Sequence, residues 1–524
     1  MRRIVPLFLV CSLMLASASV SPVQAARPPE GAAAAAAAAP PAPTRVGMTL
    51  GAGDWYVGAT PPNVDPAKPV LVFVHGKGGS ASVWWDETTY HGTNDMYAYA
   101  YNNGYRTAFV SLHPEGTMWA NGQLLSSLLN SITSYFGVNR VTIVAHSKGG
   151  VDANAASVHY GAAPKIREVI TLGTPHRGTP VADLAYSDWA GWLAELLGQR
   201  TDAAYVMQTG YMDYFRSVTD GLDPAVRYST VSGYKCGPVF TALWLGCMYI
   251  SGEDDGLVPV WSAEKPGGTH LRTGYWDHDE IRMGSRVWST IAPRLTAAGS
   301  PGERAVAAPQ PYGGEAAPGN LILRGGPVSG GSAAASFPVE RGVTAVTFHV
   351  LGSSADLSAS LVAPDGTVHP VKLTGRIDEG EVLAGAWIGS AEVQRPQAGE
   401  WRLEVTGAKE SAYLMVAALE GGVQAVLDRG AGVSLPGESR PVTLRLLGPA
   451  VAESRAEARL VRDGAAALGH AEFRSEGGRH VALVEAPEEA GVHALSVTVT
   501  GTLRDGSAFE RNLVTSFAVF DAGP

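Results

Sequence analysis

Cysteine is scarce in this chain: there are three in 524 residues, and only Cys236 and Cys247 lie beyond the first 25 positions. That excludes a disulfide-stapled scaffold and a cysteine-rich zinc module, both of which need several thiols at short spacings. Basic charge is also short, with 39 Lys and Arg against 49 Asp and Glu. A formal charge of −10 leaves little to neutralise phosphates, so nucleic acid is not expected as a partner. The N-terminal apolar run, Ile4–Ala16, is too short for a hydrocarbon layer of about 30 Å, so no transmembrane anchor is expected. What remains is an ordinary globular mixture, 45% hydrophobic and 17% charged, long enough for about three domains.

The ends and joins differ in texture from the rest. Arg2 and Arg3 precede the apolar run, and Val23-Gln24-Ala25 offers a small-residue cleavage site, so residues 1–25 read as a secretory signal peptide. Residues 26–47 are an Ala/Pro-rich linker, and Gly, Pro and Ala dominate again over 298–335, read as a second linker. The protein is therefore expected outside the cell, where Cys236 and Cys247 would form a disulfide.

Between the linkers, over 48–297, strands and helices alternate. Val70–Val74, Thr107–Leu112, Val141–Val144 and Val169–Leu172 are short apolar runs that suit strands buried on both faces. Leu124, Leu125, Leu128, Leu129, Ile132, Tyr135 and Phe136 mark one face of an intervening helix. The expected fold is α/β, a mostly parallel sheet with helices on both faces. At one strand-to-helix junction stands Ala145-His146-Ser147-Lys148-Gly149-Gly150. A serine nucleophile on such a junction needs a sharp turn that lifts its Oγ above the sheet, with small residues two before and two after. Ala145 and Gly149 meet that need, which makes Ser147 the candidate nucleophile.

Together with His75-Gly76-Lys77-Gly78-Gly79 and Leu172-Gly173-Thr174-Pro175-His176-Arg177-Gly178-Thr179, this segment resembles secreted bacterial lipases of the α/β-hydrolase fold. Its A-H-S-x-G-G form is similar to the Bacillus-type branch. The resemblance spans about half the chain and implies a triad in the order Ser, Asp, His. Asp254-Asp255-Gly256-Leu257-Val258 resembles the lipase D-G-x-V segment, which maps the acid onto Asp255, with Asp254 the alternative. His278, on a polar loop ahead of the last helix, is the expected base; His270 reads better as a strand residue. Backbone N–H groups of Lys77 and Lys148 would form the oxyanion hole, their side chains solvated. His75 is expected to brace the oxyanion loop, His146 to orient or pack, and His176 to support a turn.

Residues 180–225 are rich in Leu, Tyr, Trp and Met and longer than an ordinary connection, so they read either as a lid over an acyl pocket or as packing on the α/β body. Beyond 335, short alternating runs separated by turns such as Pro364-Asp365-Gly366 imply two β-sandwiches, 336–420 and 421–524, the second immunoglobulin-like. They would bind substrate or a surface, or only space and stabilise the enzyme. The leading reading is a secreted carboxylic-ester hydrolase acting on acyl esters or lipids, with contact to lipid aggregates or polymer surfaces through the lid and the C-terminal domains. It needs no cofactor, and no metal ligands are assigned. A polyester depolymerase or a serine peptidase would use the same triad, and a surface-binding protein on an inactive hydrolase is the non-enzyme alternative.

Overall fold

The computed structural model describes residues 39–47, 51–222, 226–239, 241–296, 313–315, 319–377, 383–462, 468–476 and 479–521. The expected signal peptide and most of the first linker lie outside these residues. No described helix is long and apolar enough to cross a membrane. Eight strands form one sheet: β1 (Thr44–Arg45), β2 (Trp55–Val57), β3 (Leu71–Val74), β4 (Thr107–Val110), β5 (Val141–His146), β6 (Ile166–Leu172), β7 (Arg227–Gly233) and β8 (Thr269–Gly274). Their order is β1-β2-β4-β3-β5-β6-β7-β8. The first two pair antiparallel and the remainder run parallel. Every residue of β3, β4 and β5 is buried, which is why these strands read as unbroken apolar runs.

Helices α1 (Met96–Asn102), α2 (Met118–Phe136) and α3 (Lys148–His159) cover this sheet. The Thr117 hydroxyl caps α2 by accepting from Ala120 N, and Gly137 closes it in the left-handed conformation at φ 62°. Leu125, Leu128, Leu129 and Ile132 of α2 are buried, whereas Tyr135, placed on that face by its spacing, is exposed.

After β6 come four short helices, α4 (Pro180–Ala185), α5 (Gly191–Leu196), α6 (Asp202–Val206) and α7 (Thr209–Ser217). They carry the apolar residues expected to form a lid or to pack on the α/β body, and they do more than either. Ala182, Met207, Tyr211, Met212 and Phe215 join Met118, Val151 and Ala155 of the α/β body. Leu184, Trp189 and Leu193 join Leu321, Leu323, Leu351, Leu414 and Val416 of the C-terminal half. The layer is thus packed from both sides, which satisfies side chains that would otherwise face water.

The C-terminal half forms two β-sandwiches, each of two antiparallel sheets apart from one short parallel pairing. The second linker was expected to run to 335, but Leu321–Pro327 and Ser332–Val339 are strands of the first sandwich. Gly and Pro content masked the buried Leu321-Ile322-Leu323 core. Gly313–Glu315 likewise pairs with Gln424–Ala431 of the second sandwich. The two sandwiches are locked together by Arg511, fully buried against the equally buried Glu340. Arg511 also donates to Asn320 Oδ1 at 2.6 Å and Val423 O at 2.7 Å.

Against the four-helix layer the C-terminal half makes polar contacts. Asp188 accepts from Ser496 Oγ at 2.6 Å and pairs with Arg459 at 2.8 Å. Asp213 pairs with Arg429, and Val492 N donates to the Tyr205 hydroxyl at 2.8 Å. Asp183 accepts from Ser516 Oγ at 2.6 Å and from Thr209 N and Oγ1. Burial pushes the Asp183 carboxyl from 3.8 up to about 6, although the Ser516 and Thr209 hydrogen bonds pull it down. The folded protein therefore keeps a proton there that the unfolded chain has released. Stability from this group is full below the unfolded value, falls as pH rises through the interval, and ends lower by about 2–3 kcal/mol. Asp183→Asn is expected to flatten the thermal midpoint between about pH 4 and pH 7; the same slope in variant and wild type would contradict this.

Candidate active site

Ser147 sits at the turn between β5 and α3, with φ 53° and ψ −137°. A non-glycine residue at positive φ is strained, and the surroundings hold it there. Ser147 N donates to Leu172 O at 2.9 Å, and Thr174 Oγ1 donates to Ser147 O at 2.8 Å. The small residues of the turn are required by contact. A Cβ on Gly149 would lie 2.3 Å from His75 O, and one on Gly76 would lie 2.7 Å from Ser147 Cβ. The loop of His75 and Gly76 is thus pressed against the serine. Gly149→Val is expected to leave little soluble, folded protein, because the clash is with backbone; expression and circular dichroism would show it.

His278 lies on the loop between β8 and α10 (Gly284–Thr296), where α9 is the short Val260–Ala263 helix and α8 is Ala242–Tyr249. Its Nδ1 is 2.8 Å from Asp255 Oδ2. The other carboxylate oxygen of Asp255 accepts from Val258 N at 2.7 Å and Leu257 N at 3.1 Å, which fixes its rotamer. Asp254, the alternative acid, instead accepts from Gly256 N at 2.7 Å. Burial pushes the Asp254 carboxyl up to about 7. His278 N donates to Asp255 O at 2.8 Å, and His146 Nε2 donates to His278 O at the same distance. The two imidazoles lie 4.7 Å apart by centroid, so His278 is brought beside the serine turn. Burial and the neighbouring His278 hold His146 well below its ordinary value, as a neutral ring.

His75 is buried and neutral, its value lowered to about 4 by burial. Its Nδ1 donates to Gly76 O at 2.7 Å and its Nε2 accepts from Leu112 N at 2.9 Å, tying the Gly76-Lys77 loop to β4's exit. His176 bonds Thr171 Oγ1 at 3.1 Å, and His270 on β8 bonds Thr273 of its own strand and Thr230 of the neighbouring β7. The side chain of Lys148 is not solvated as expected: it is 2% exposed, with Nζ 2.6 Å from Asp152. Asp152 in turn accepts from Asn121, and burial raises its carboxyl. The i,i+4 spacing of Lys148 and Asp152 on α3 was the available signal. Lys77 Nζ pairs with Glu115 at 3.1 Å, and Glu115 accepts from Thr201 Oγ1 at 2.5 Å. The four-helix layer therefore reaches the Gly76-Lys77 loop beside Ser147. Cys236 and Cys247 are disulfide-bonded, as expected.

A second polar cluster adjoins His278. The ligand-type atoms of His91, Asp277 and Glu280 lie within 4.8 Å of one another. The ammonium of Lys235 is among them, 2.6 Å from Glu280 Oε2 and 3.2 Å from Asp277 Oδ2, so the chain supplies its own cation. Neither His91 nor Lys235 stood out in the sequence, since the partners come from distant loops.

The family model of the PGAP1-like alpha/beta domain matches residues 66–188. A Bacillus licheniformis lipase, BlEst2 in propeptide form, is similar at 32% identity with a TM-score of 0.71, covering 91% of this chain and 99% of that one. The mature form of the same lipase is 45% identical over 47% of this chain and 100% of that one, with a TM-score of 0.44. Comparison with curated proteins found no match.

Proposed function

Because the chain belongs to the α/β-hydrolase lipase family of Bacillus licheniformis BlEst2, we propose that it is a secreted carboxylic-ester hydrolase working through Ser147, Asp255 and His278. The observation that carries this is the 2.8 Å contact between Asp255 Oδ2 and His278 Nδ1, made beside a serine held at positive φ. His278 takes the Ser147 proton as Oγ attacks the ester carbonyl, and returns it to the leaving alcohol. Asp255 fixes the tautomer and stabilises the imidazolium. The tetrahedral oxyanion is met by the N–H groups of Lys148 and Lys77. Lys148 opens α3, so its N–H has no intrahelical acceptor. Water then attacks the acyl-enzyme by the same route. A p-nitrophenyl ester series from acetate to palmitate tests the reading and sets chain length. Turnover that does not depend on Ser147 would end it, and turnover of polyester film in preference to soluble esters would favour a depolymerase.

The similar Bacillus lipase was solved in a propeptide form, and this chain aligns over nearly its whole length. We extend that reading: the described chain is a precursor in which the C-terminal half holds the helices beside the site. Supporting it are the contacts of Asp183, Asp188 and Asp213 with Ser516, Arg459 and Arg429, which tie the four-helix layer to the second sandwich. Cleavage at a protease site introduced within 298–312 is expected to raise the rate on octanoate or longer esters about ten-fold or more, a barrier change near 1.4 kcal/mol. An unchanged rate after complete cleavage and separation would count against it.

A further inference from the structure

Asp277 precedes His278 directly, and its carboxylate is fully used. Oδ1 accepts from Asp279 N at 3.1 Å and Glu280 N at 2.9 Å; Oδ2 takes His91 Nε2 at 2.8 Å and Lys235 Nζ at 3.2 Å. The partners come from three places in the chain. His91 follows β3, Lys235 follows β7 immediately before the disulfide-bonded Cys236, and Glu280 follows β8. Lys235 is also held by its backbone, N donating to Trp276 O at 3.2 Å. The same loop region adds a brace of its own, Tyr90 N donating to Asp279 Oδ2 at 2.8 Å.

We propose that Lys235 and His91 are positioning residues: they clamp Asp277, and so hold the loop that presents His278 to Ser147. The proposal rests on the Ser147–Asp255–His278 reading above. A buried carboxylate needs compensating charge, and Asp277 is completely buried. Burial pushes Asp277 up, but the hydrogen bond from His91, then that from Glu280 N and the charges of His91 and Lys235, outweigh it and hold the group below its ordinary range. The same bond to Asp277 raises His91. Glu280 is balanced by Lys235 and by Arg286 at 3.0 Å. The other charged or titratable groups facing the loop are Asp255, Asp254 and His146, with Arg282 paired to Asp279. Without the clamp the loop keeps its bonds to Asp255, His146 and Tyr90 N and loses the two side-chain contacts that hold Asp277 Oδ2. A shift of about 1 Å at a catalytic group is enough to cost up to 10²-fold in rate.

The test uses the full chain and p-nitrophenyl butyrate. Lys235→Met and His91→Phe are expected to lower kcat about 10- to 100-fold with KM within about two-fold, since both act through Asp277 on the placement of His278. Lys235→Arg is expected to recover most of the rate. Titration with a phosphonate reports the fraction of competent enzyme, so the loss is read per active site. Removing the Lys235 cation also favours protonation of His278, so the acidic limb of kcat/KM moves up by about half a pH unit; Asp277→Asn moves it down. A fold defect alone would reduce the titratable fraction and leave that limb in place. Wild-type kcat and limb in Lys235→Met would overturn the clamp. So would loss of activity in EDTA with recovery in Zn²⁺, because the cluster would then be a metal centre. If Ser147→Ala keeps its activity, the triad reading fails instead.

Discussion

Replacing Ser147 with Ala is expected to lower kcat on p-nitrophenyl butyrate by about 10⁴- to 10⁶-fold. The Oγ is the only atom removed, and Ala at φ 53° carries much the same backbone strain, so the fold should be kept. On the proposed mechanism, His278, Asp255 and the amides of Lys77 and Lys148 remain to bind an ester and polarise its carbonyl. The residual rate over water measures that contribution, about 10³- to 10⁴-fold in enzymes of this type. Asp255→Asn should fall nearly as far, about 10⁴-fold, because an amide facing Nδ1 favours the wrong tautomer. Steady-state rates read beside thermal midpoints separate chemistry from folding. A Ser147→Ala protein with more than a hundredth of the wild-type rate would mean that another group performs the attack.

Arg511→Met is expected to destabilise the C-terminal half by about 3–5 kcal/mol, because it leaves Glu340 ionised and buried without its partner. The loss should be large since Arg511 also serves Asn320 and Val423 O, whose acceptors would be left unmet. Changing both residues, Arg511→Met with Glu340→Leu, is expected to recover much of the stability, as apolar replacements of buried pairs often do. Urea unfolding followed by far-ultraviolet circular dichroism would read the effect. Equal midpoints for wild type and single variant would show that the pair contributes nothing net.

The sheet was legible in the sequence because burial on both faces writes itself as unbroken apolar runs. The serine turn was legible because its geometry tolerates only small neighbours, and Gly149 against His75 O shows why. The His278–Asp255 pairing needed the order implied by the resemblance, and the register of the D-G-x-V segment is what preferred Asp255 to Asp254. What the sequence did not disclose depends on contacts between distant segments. Trp189, Leu193 and Leu184 read either as a lid or as packing on the α/β body, and no local pattern disclosed that they also pack against Leu323 and Val416. Leu321–Pro327 looked like linker because its Gly and Pro outweighed three buried aliphatics. The Lys235–Asp277–His91 contacts join positions up to 186 residues apart, a separation no local pattern encodes.

The helices α4 to α7 are five to nine residues long, well below the length at which an isolated helix holds together in water. Part of their apolar support comes from residues synthesised more than a hundred positions later. The emerging chain therefore passes through an interval in which the sheet has its strands while this layer has no roof. Sticky surface is exposed throughout that interval, until Leu321, Leu323, Leu414 and Val416 arrive to pack over Leu184, Trp189 and Leu193.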